Sequence, residues 1–303
     1  VKLVLTGANG QLGAELCNNL APLGDVFALD RSQCDLARAQ SLPAVIRAVN
    51  ADVIVNAAAY TAVDRAETEE KLAFTVNAEA AGILADEARR SGALLVHYST
   101  DYVFDGQKPG LYDEDDAPAP LNAYGRSKLA GEIAVRHCAG DYLIFRASWI
   151  YAARGQNFLR TILRLAQEKE ELQIVADQIG APTWAREIAK ATARAIAAAT
   201  AERRGGGFKS GIFHLTATGA ASWYDFAAAI VGGAVARGLL PHPPRLRAIT
   251  SAQYPQAARR PENCRLDCGR IRQRFGIVLP EWQAMLAGCL DEIAAPAAAS
   301  GRG

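Results

Sequence analysis

A tyrosine and a lysine four residues apart, Tyr124 and Lys128 in the run Tyr124-Gly125-Arg126-Ser127-Lys128, have the types and spacing for proton transfer. On a helix that spacing puts both side chains on one face, about one turn apart. An ammonium held there favours the phenolate of a group that ordinarily titrates near ~10. The chain also opens on Gly7-Ala8-Asn9-Gly10-Gln11-Leu12-Gly13. A glycine-rich turn of this kind offers backbone N–H groups and a helix N-terminus to a pyrophosphate. One segment can move a proton and the other can hold a dinucleotide, which together suggest a nicotinamide-dependent oxidoreductase.

Those residues need elements to hold them. Lys2–Leu5, Val26–Leu29, Val53–Val55, Leu94–His97 and Leu143–Phe145 read as short strands. Between them Gln11–Leu23, Ser41–Val49, Ala73–Ser91 and Tyr124–His137 have helical periodicity. The alternation predicts an α/β fold, a doubly wound parallel sheet of the Rossmann kind. Residues 1–150 are expected to form the dinucleotide-binding domain. Residues 151–303 are expected to form mainly a smaller, irregular substrate-binding domain, with a return to the first around 185–203. In that part Asn157–Lys169 and Ile188–Ala201 read as helices, Leu172–Val175 and Gly211–Leu215 as strands, and Arg203–Gly207 as a loop. Residues 294–303 are expected to fray.

Each candidate has a plain structural alternative. Gly7, Gly10 and Gly13 follow a strand and open a helix, although tight turns also need glycine. Asp30 ends the second strand, where an acid can accept from an adenosine ribose hydroxyl, while Arg31 beside it could pair with a 2′-phosphate. The choice between NADH and NADPH therefore stays open. Asp35 and Leu36 are candidates to flank the adenine. The small residues of Asn56-Ala57-Ala58-Ala59-Tyr60-Thr61 suit close backbone approach to a ligand or ordinary helix–sheet packing. Ser99-Thr100-Asp101-Tyr102 follows the fourth strand, where a hydroxyl can bond a substrate carbonyl and the Tyr124 phenol, or merely cap a turn. The order of the three features, glycine turn, Ser-Thr at a strand end, then Tyr-x-x-x-Lys, is what carries the reading.

A net charge of +1 argues against a nucleic-acid footprint, which needs a clustered excess of Lys and Arg. No apolar run reaches the length of a membrane span, and Val1–Gly7 reads as a strand rather than a secretory segment. The six cysteines lack a framework spacing, so reduced thiols and a cytoplasmic location are expected. His97, His137, His214 and His242 show no ligand spacing, and no metal site is assigned.

At this point the chain resembles the extended short-chain dehydrogenase/reductase family over nearly its whole length. The resemblance rests on Gly10-Gln11-Leu12-Gly13, Asn56–Thr61, Ser99-Thr100-Asp101-Tyr102, Asn122–Lys128 and Arg146-Ala147-Ser148-Trp149. Gln178-Ile179-Gly180-Ala181-Pro182-Thr183 and Ala258-Arg259-Arg260-Pro261-Glu262-Asn263 add to it. It implies hydride transfer from NADPH or NADH to the carbonyl carbon of a dTDP-linked 4-keto-6-deoxy-L-sugar. By the same resemblance Tyr124 is the proton donor, Lys128 holds the nicotinamide ribose and lowers the Tyr124 pKa, and Thr100 orients the carbonyl oxygen. Gly7, Gly10, Gln11, Leu12, Gly13, Asp30, Arg31, Asp35, Leu36, Ala58, Ala59, Tyr60 and Thr61 would line the cofactor. Asp101, Tyr102, Val63, Trp149, Arg259 and Arg260 would face the substrate, the two arginines at its diphosphate.

Family members can form homodimers with Mg2+ at the interface. Glu15 and Glu292 are candidate ligands, but Arg186 stands where another acid is expected, with Glu187 beside it, so no complete ligand set is matched. A nucleotide-sugar dehydratase or epimerase of the same superfamily is the nearest alternative enzyme. The dehydratases carry Thr-Asp-Glu, whereas Thr100-Asp101 is followed here by Tyr102. A non-catalytic binding subunit is a second alternative, which the intact Thr100, Tyr124 and Lys128 set disfavours.

Overall fold

The computed structural model describes residues 1–138 and 140–295. Its longer strands are β1 (Lys2–Thr6), β2 (Asp25–Leu29), β3 (Val53–Asn56), β4 (Leu94–Thr100), β5 (Tyr142–Ala147), β6 (Glu171–Val175), β7 (Gly211–His214) and β8 (Arg245–Ile249). Six of them form one parallel sheet in the order β7-β5-β4-β3-β1-β2, while β6 and β8 pair in a small parallel sheet. Every residue of β3 and β4 is buried, as expected for central parallel strands covered on both faces. The strand order reverses between β1 and β3. Crevices outside the carboxyl ends of the strands at such a reversal are where open α/β sheets bind ligands.

The longer helices are α1 (Gln11–Leu20), α2 (Leu42–Val49), α3 (Ala80–Ser91), α4 (Ala123–His137), α5 (Phe158–Glu168), α6 (Ala185–Arg204), α7 (Trp223–Ala236), α8 (Gly269–Phe275) and α9 (Trp282–Ala294). Alternation along β1 sorts them. Leu3 and Leu5 join a core with Leu16 of α1 and Ile188 of α6, while Val4 joins one with Ile46 of α2 and Leu84 of α3. The first core continues through Phe226 of α7 and Leu286 of α9.

Three local features depart from the sequence reading. Strand β4 runs on through Ser99 and Thr100, which are its last residues rather than the turn after it. Arg203 and Arg204 close the last turn of α6 instead of opening a loop. The last third is more ordered than expected, because α7, β8 and α9 were not legible. Trp223–Ala236 is apolar on almost every side, so it offers no amphipathic period to read. Of the tail expected to fray, Ala294 ends α9 and residues 296–303 lie outside the described residues.

Candidate active site

Asn122 starts α4: its side chain accepts from the Gly125 N–H at 2.8 Å, a standard N-terminal cap. The helix then presents Tyr124 and Lys128 toward the end of β4. Lys128 is almost fully buried and its Nζ donates to the Tyr98 carbonyl at 2.5 Å. Burial pushes the Lys128 pKa down to about 8, with Glu132 opposing. Part of the Tyr124 ring meets solvent, yet burial around the phenol raises its pKa to about 12, with the Thr100 hydroxyl opposing. The expected lowering of Tyr124 by Lys128 is therefore not what this environment gives. The ammonium is turned to a strand carbonyl, and desolvation of the phenolate dominates.

Thr100 sits between Tyr124 and a buried carboxyl. Its Oγ1 accepts from the Tyr102 N–H at 3.1 Å and donates to Asp101 Oδ1 at 2.9 Å. The other Asp101 oxygen accepts from Ser148 Oγ at 2.7 Å. Asp101 was expected on the substrate side, but it is 3% exposed and its carboxyl faces Ser148 and Thr100. Burial raises its pKa to about 6, against the hydrogen bonds of Ser148 and Thr100. The buried Cys264 thiol lies beside Asp101 and the Trp149 indole, and burial pushes its pKa well up. Tyr102 is also buried, its ring edge-on to Tyr124 with centroids 6.0 Å apart.

The glycine turn lies at the carboxyl end of β1. Gly7 adopts φ +72°, and a Cβ there would fall 2.8 Å from the Ala58 backbone, so only glycine fits between the two loops. Gly10 precedes α1, and no side chain caps that helix. Its first N–H groups are thus available to an anion, which fits the pyrophosphate of a dinucleotide. Gln11 instead reaches the loop before α5, donating to the Gln156 carbonyl at 3.2 Å and accepting from Asn157 at 2.8 Å. Leu12 and Leu36 are buried in the two cores. Asp30 Oδ1 accepts from the Ser32 hydroxyl and N–H at 2.6 and 2.8 Å, and Oδ2 accepts from Asn9 at 3.2 Å. These bonds, that of the Ser32 hydroxyl first, hold its pKa below the usual range. Arg31 is exposed and pairs with Asp35 at 3.4 Å. Ala58 touches the glycine turn, Ala59 and Tyr60 are partly buried, and Thr61 is exposed.

The residues expected at the substrate divide. Val63 opens a short helix, Val63–Ala66, whose Asp64 takes both arms of Arg260, at 3.1 and 2.6 Å. Arg260 is thereby committed to a protein carboxylate rather than free for a diphosphate. Arg259 is exposed and has no ion pair among the described residues, while its carbonyl accepts from Asn122 at 2.8 Å. Trp149 has φ +45°, uncommon for a bulky residue, and its ring lies flat on Trp223.

Glu15 and Glu292 do converge, but around Arg186. Its Nε lies 3.0 Å from Glu15 Oε2 and its Nη2 lies 2.8 Å from Glu292 Oε2, with the guanidinium 4.6 Å from the centre of the Trp184 ring. A magnesium ion does not fit here, because the space between the two carboxylates already holds a cation. No group of three or more His, Cys, Asp or Glu able to hold a metal occurs among the described residues.

Two positioning residues had no sequence signal. Asn77 lies in a π-helical turn, Thr75–Glu79, between the helix Glu70–Phe74 and α3. Its side chain accepts from the Tyr60 N–H at 2.8 Å and donates to the Tyr60 carbonyl at 3.0 Å and Ser127 Oγ at 2.9 Å. It therefore ties the Tyr60 loop to α4. Asp64 is the other, because its contact with Arg260 spans 196 positions. Across the sheet, Thr6 donates to Asn56 at 2.7 Å and Asn56 donates to His97 Nδ1 at 3.1 Å. His97 is buried and is kept neutral by desolvation and by Lys128.

A switch-point glycine turn with Thr100, Tyr124 and Lys128 at the same carboxyl edge of the sheet is the architecture of an extended short-chain dehydrogenase/reductase. Residues 1–295 match the family model described as the RmlD substrate binding domain. The chain is 51% identical to the dTDP-4-dehydrorhamnose reductase of Burkholderia thailandensis, over 97% of this chain and 99% of that protein. It is 43% identical to that of Escherichia coli K12, over 97% and 98%. The crystal structure of dTDP-4-dehydrorhamnose reductase from Bacillus anthracis in complex with NADP superposes with a TM-score of 0.85 at 34% identity, covering 96% of this chain and 99% of that one. The chain belongs to the dTDP-4-dehydrorhamnose reductase family.

Proposed function

We propose that this protein reduces the C4 carbonyl of dTDP-4-dehydro-L-rhamnose to give dTDP-L-rhamnose, the final step in making that nucleotide sugar, with NADPH or NADH as the reductant. The observation that carries the reading is the placement of Thr100, Tyr124 and Lys128 at the carboxyl end of β4, in a chain 51% identical to a dTDP-4-dehydrorhamnose reductase. The cofactor, when bound, supplies the hydride.

Tyr124 gives its phenolic proton to the C4 oxygen as negative charge develops there, which is general acid catalysis by a positioned group. A pKa raised to about 12 keeps that proton in place until an alkoxide forms. Thr100 fixes the direction of the phenol. Lys128 reaches the nicotinamide ribose from its anchor on the Tyr98 carbonyl. Gly7, Gly10 and Gly13 with the first turn of α1 take the pyrophosphate, Asp30 and Arg31 the adenosine ribose, and Asp35 and Leu36 the adenine edge. Ala58, Ala59, Tyr60 and Thr61 close over the nicotinamide half. Residues 1–150 are the cofactor half of the molecule in this reading, and the later segments supply the substrate half. Trp149 walls the sugar, Val63 and Tyr102 flank it, and Arg259 meets the diphosphate.

Six unpaired cysteines suit a reducing compartment, so the cytoplasm is the proposed location. No helix among the described residues is long and apolar enough to cross a membrane. A homodimer is the proposed assembly, to be checked by sedimentation.

The test follows NADPH and NADH oxidation with dTDP-4-dehydro-L-rhamnose, with Tyr124→Phe in parallel. Turnover lost in the variant while cofactor binding is kept is the expected result. No turnover of the unmodified protein with either cofactor would overturn the reading.

A further inference from the structure

Trp149 is held in a way its own backbone does not favour. Its φ of +45° is the left-handed region, which costs a bulky side chain free energy unless the surroundings fix it. The surroundings come from separate parts of the chain. The Trp223 ring at the start of α7 lies 3.5 Å away, centre to centre, at an interplanar angle of 6°. On the opposite approach Gly180 leaves room, since a Cβ there would fall 2.5 Å from the Trp149 ring. The Trp149 carbonyl also accepts from the Thr183 N–H at 3.2 Å.

Trp223 is itself anchored. Its indole N–H donates to Gln178 Oε1 at 3.1 Å, and Gln178 Nε2 donates to Ser251 Oγ at 2.9 Å. Ser251 in turn donates to Asp177 through both its hydroxyl, at 2.6 Å, and its N–H. Phe158 leans against the indole at 4.5 Å and 46°. A flat face-to-face sandwich is not the arrangement two free aromatic rings prefer, which is offset or edge-to-face. The Gln178 hydrogen bond and the Phe158 ring hold Trp223 in that arrangement.

Trp149 also connects to the reacting groups. Ser148, the residue before it, donates to Asp101, and Asp101 accepts from Thr100, which lies in hydrogen-bonding reach of the Tyr124 phenol.

We propose that Trp223 is a positioning residue for substrate: held by Gln178, it fixes the Trp149 indole, which lies between Trp223 and Gly180, so that the part of the ring left uncovered forms a fixed edge of the sugar pocket. This rests on the reading of Trp149 as part of the sugar pocket. Loss of the stack frees Trp149 to relax its backbone, so the sugar meets a mobile edge. The effect falls on binding, because neither indole exchanges a proton or hydride with the substrate.

The experiment measures kcat and KM for dTDP-4-dehydro-L-rhamnose in Trp223→Leu, Trp223→Phe, Gln178→Leu and Trp149→Leu, with NADPH affinity followed by fluorescence. An aromatic pair contributes enough that Trp223→Leu is expected to raise KM about three- to tenfold. In that variant kcat and NADPH affinity stay near those of the unmodified protein. Trp223→Phe, which keeps a ring, is expected to restore most of the loss, and Gln178→Leu to fall between. The exciton couplet of the stacked indoles in circular dichroism is expected to vanish in both leucine variants of tryptophan. If Trp149→Leu raises KM and Trp223→Leu does not, the pocket reading stands and the positioning role is overturned. If Trp149→Leu leaves KM unchanged, the pocket reading fails and takes the proposal with it.

Discussion

Arg260 grips Asp64 with two hydrogen bonds, 3.1 and 2.6 Å long, across 196 positions of sequence. The pair joins the short helix after β3 to the loop that leads into Asn263, and the Arg260 guanidinium also lies beside the buried Tyr102 hydroxyl. Because the Asp64 side chain is 43% exposed, solvent screens the interaction. A double-mutant cycle of Asp64→Asn and Arg260→Met in urea is expected to give a coupling of about 1 kcal/mol that shrinks with added salt. A coupling near zero at low salt would show that the two loops are held by other contacts.

Replacing Tyr124 with Phe removes one oxygen and leaves the ring contact with Tyr102 intact. Loss of a positioned general acid is expected to lower kcat by about 100-fold or more, with NADPH affinity unchanged. Stopped-flow single turnovers separate that chemical loss from product release. A variant retaining most of its rate would assign the proton to another donor.

The buried Lys128 sets an alkaline limit. Its pKa is pushed down to about 8, so its charge is lost as pH rises through that value, whereas Tyr124 keeps its proton until about 12. kcat/KM is expected to fall above about pH 8. Lys128→Arg carries a permanent charge, and any activity it retains is expected to lack that limb. A limb unmoved in Lys128→Arg would point to a different group.

Asp101 gives a pH dependence of stability with the opposite origin. Burial raises its pKa to about 6, above the ~3.9 of an unfolded chain. The folded protein thus holds a proton that the unfolded chain has released, and its contribution to stability is complete below about pH 4 and lost as pH rises to about 6. Asp101→Asn removes this dependence. Relative to the unmodified protein, the variant is expected to be about 2–3 kcal/mol better off at pH 7.5 than at pH 4. Denaturant midpoints at the two pH values decide it; equal differences would mean that Asp101 does not titrate in that range.

Arg186 is the partner of an otherwise buried carboxylate, Glu15, whose side chain is 3% exposed. Arg186→Leu is expected to destabilise the protein by about 2–3 kcal/mol, at the low end for a broken buried pair because Arg186 is partly exposed. EDTA is expected to leave both Tm and activity of the unmodified protein unchanged. A fall in either on chelation would place a metal elsewhere.

What could be read in advance follows from locality. Tyr124 and Lys128 share a helix and Gly7 to Gly13 share a turn, so local spacing marked each segment, and their order along the chain with Ser99-Thr100 joined them into one reading. The sheet followed from the alternation of short apolar runs with periodic helices. Asn77 was hidden because its role depends on a π turn, which no simple periodicity marks. The commitment of Arg260 to Asp64, and of Asp101 to Ser148, depends on loops far apart in sequence meeting. Helix α7 escaped because apolar residues on its exposed as well as its buried side remove the amphipathic pattern by which a helix is recognised.

The Glu15–Arg186–Glu292 clamp has one more consequence. A metal ion joining two helices comes and goes with its concentration, and the junction weakens whenever the ion is scarce. Here the counter-charge is part of the polypeptide, tethered on α6 between α1 and α9. Its effective concentration is set by the backbone and not by the medium. The junction of these three helices therefore needs no ion taken up from solution, because the fold carries its own counter-charge.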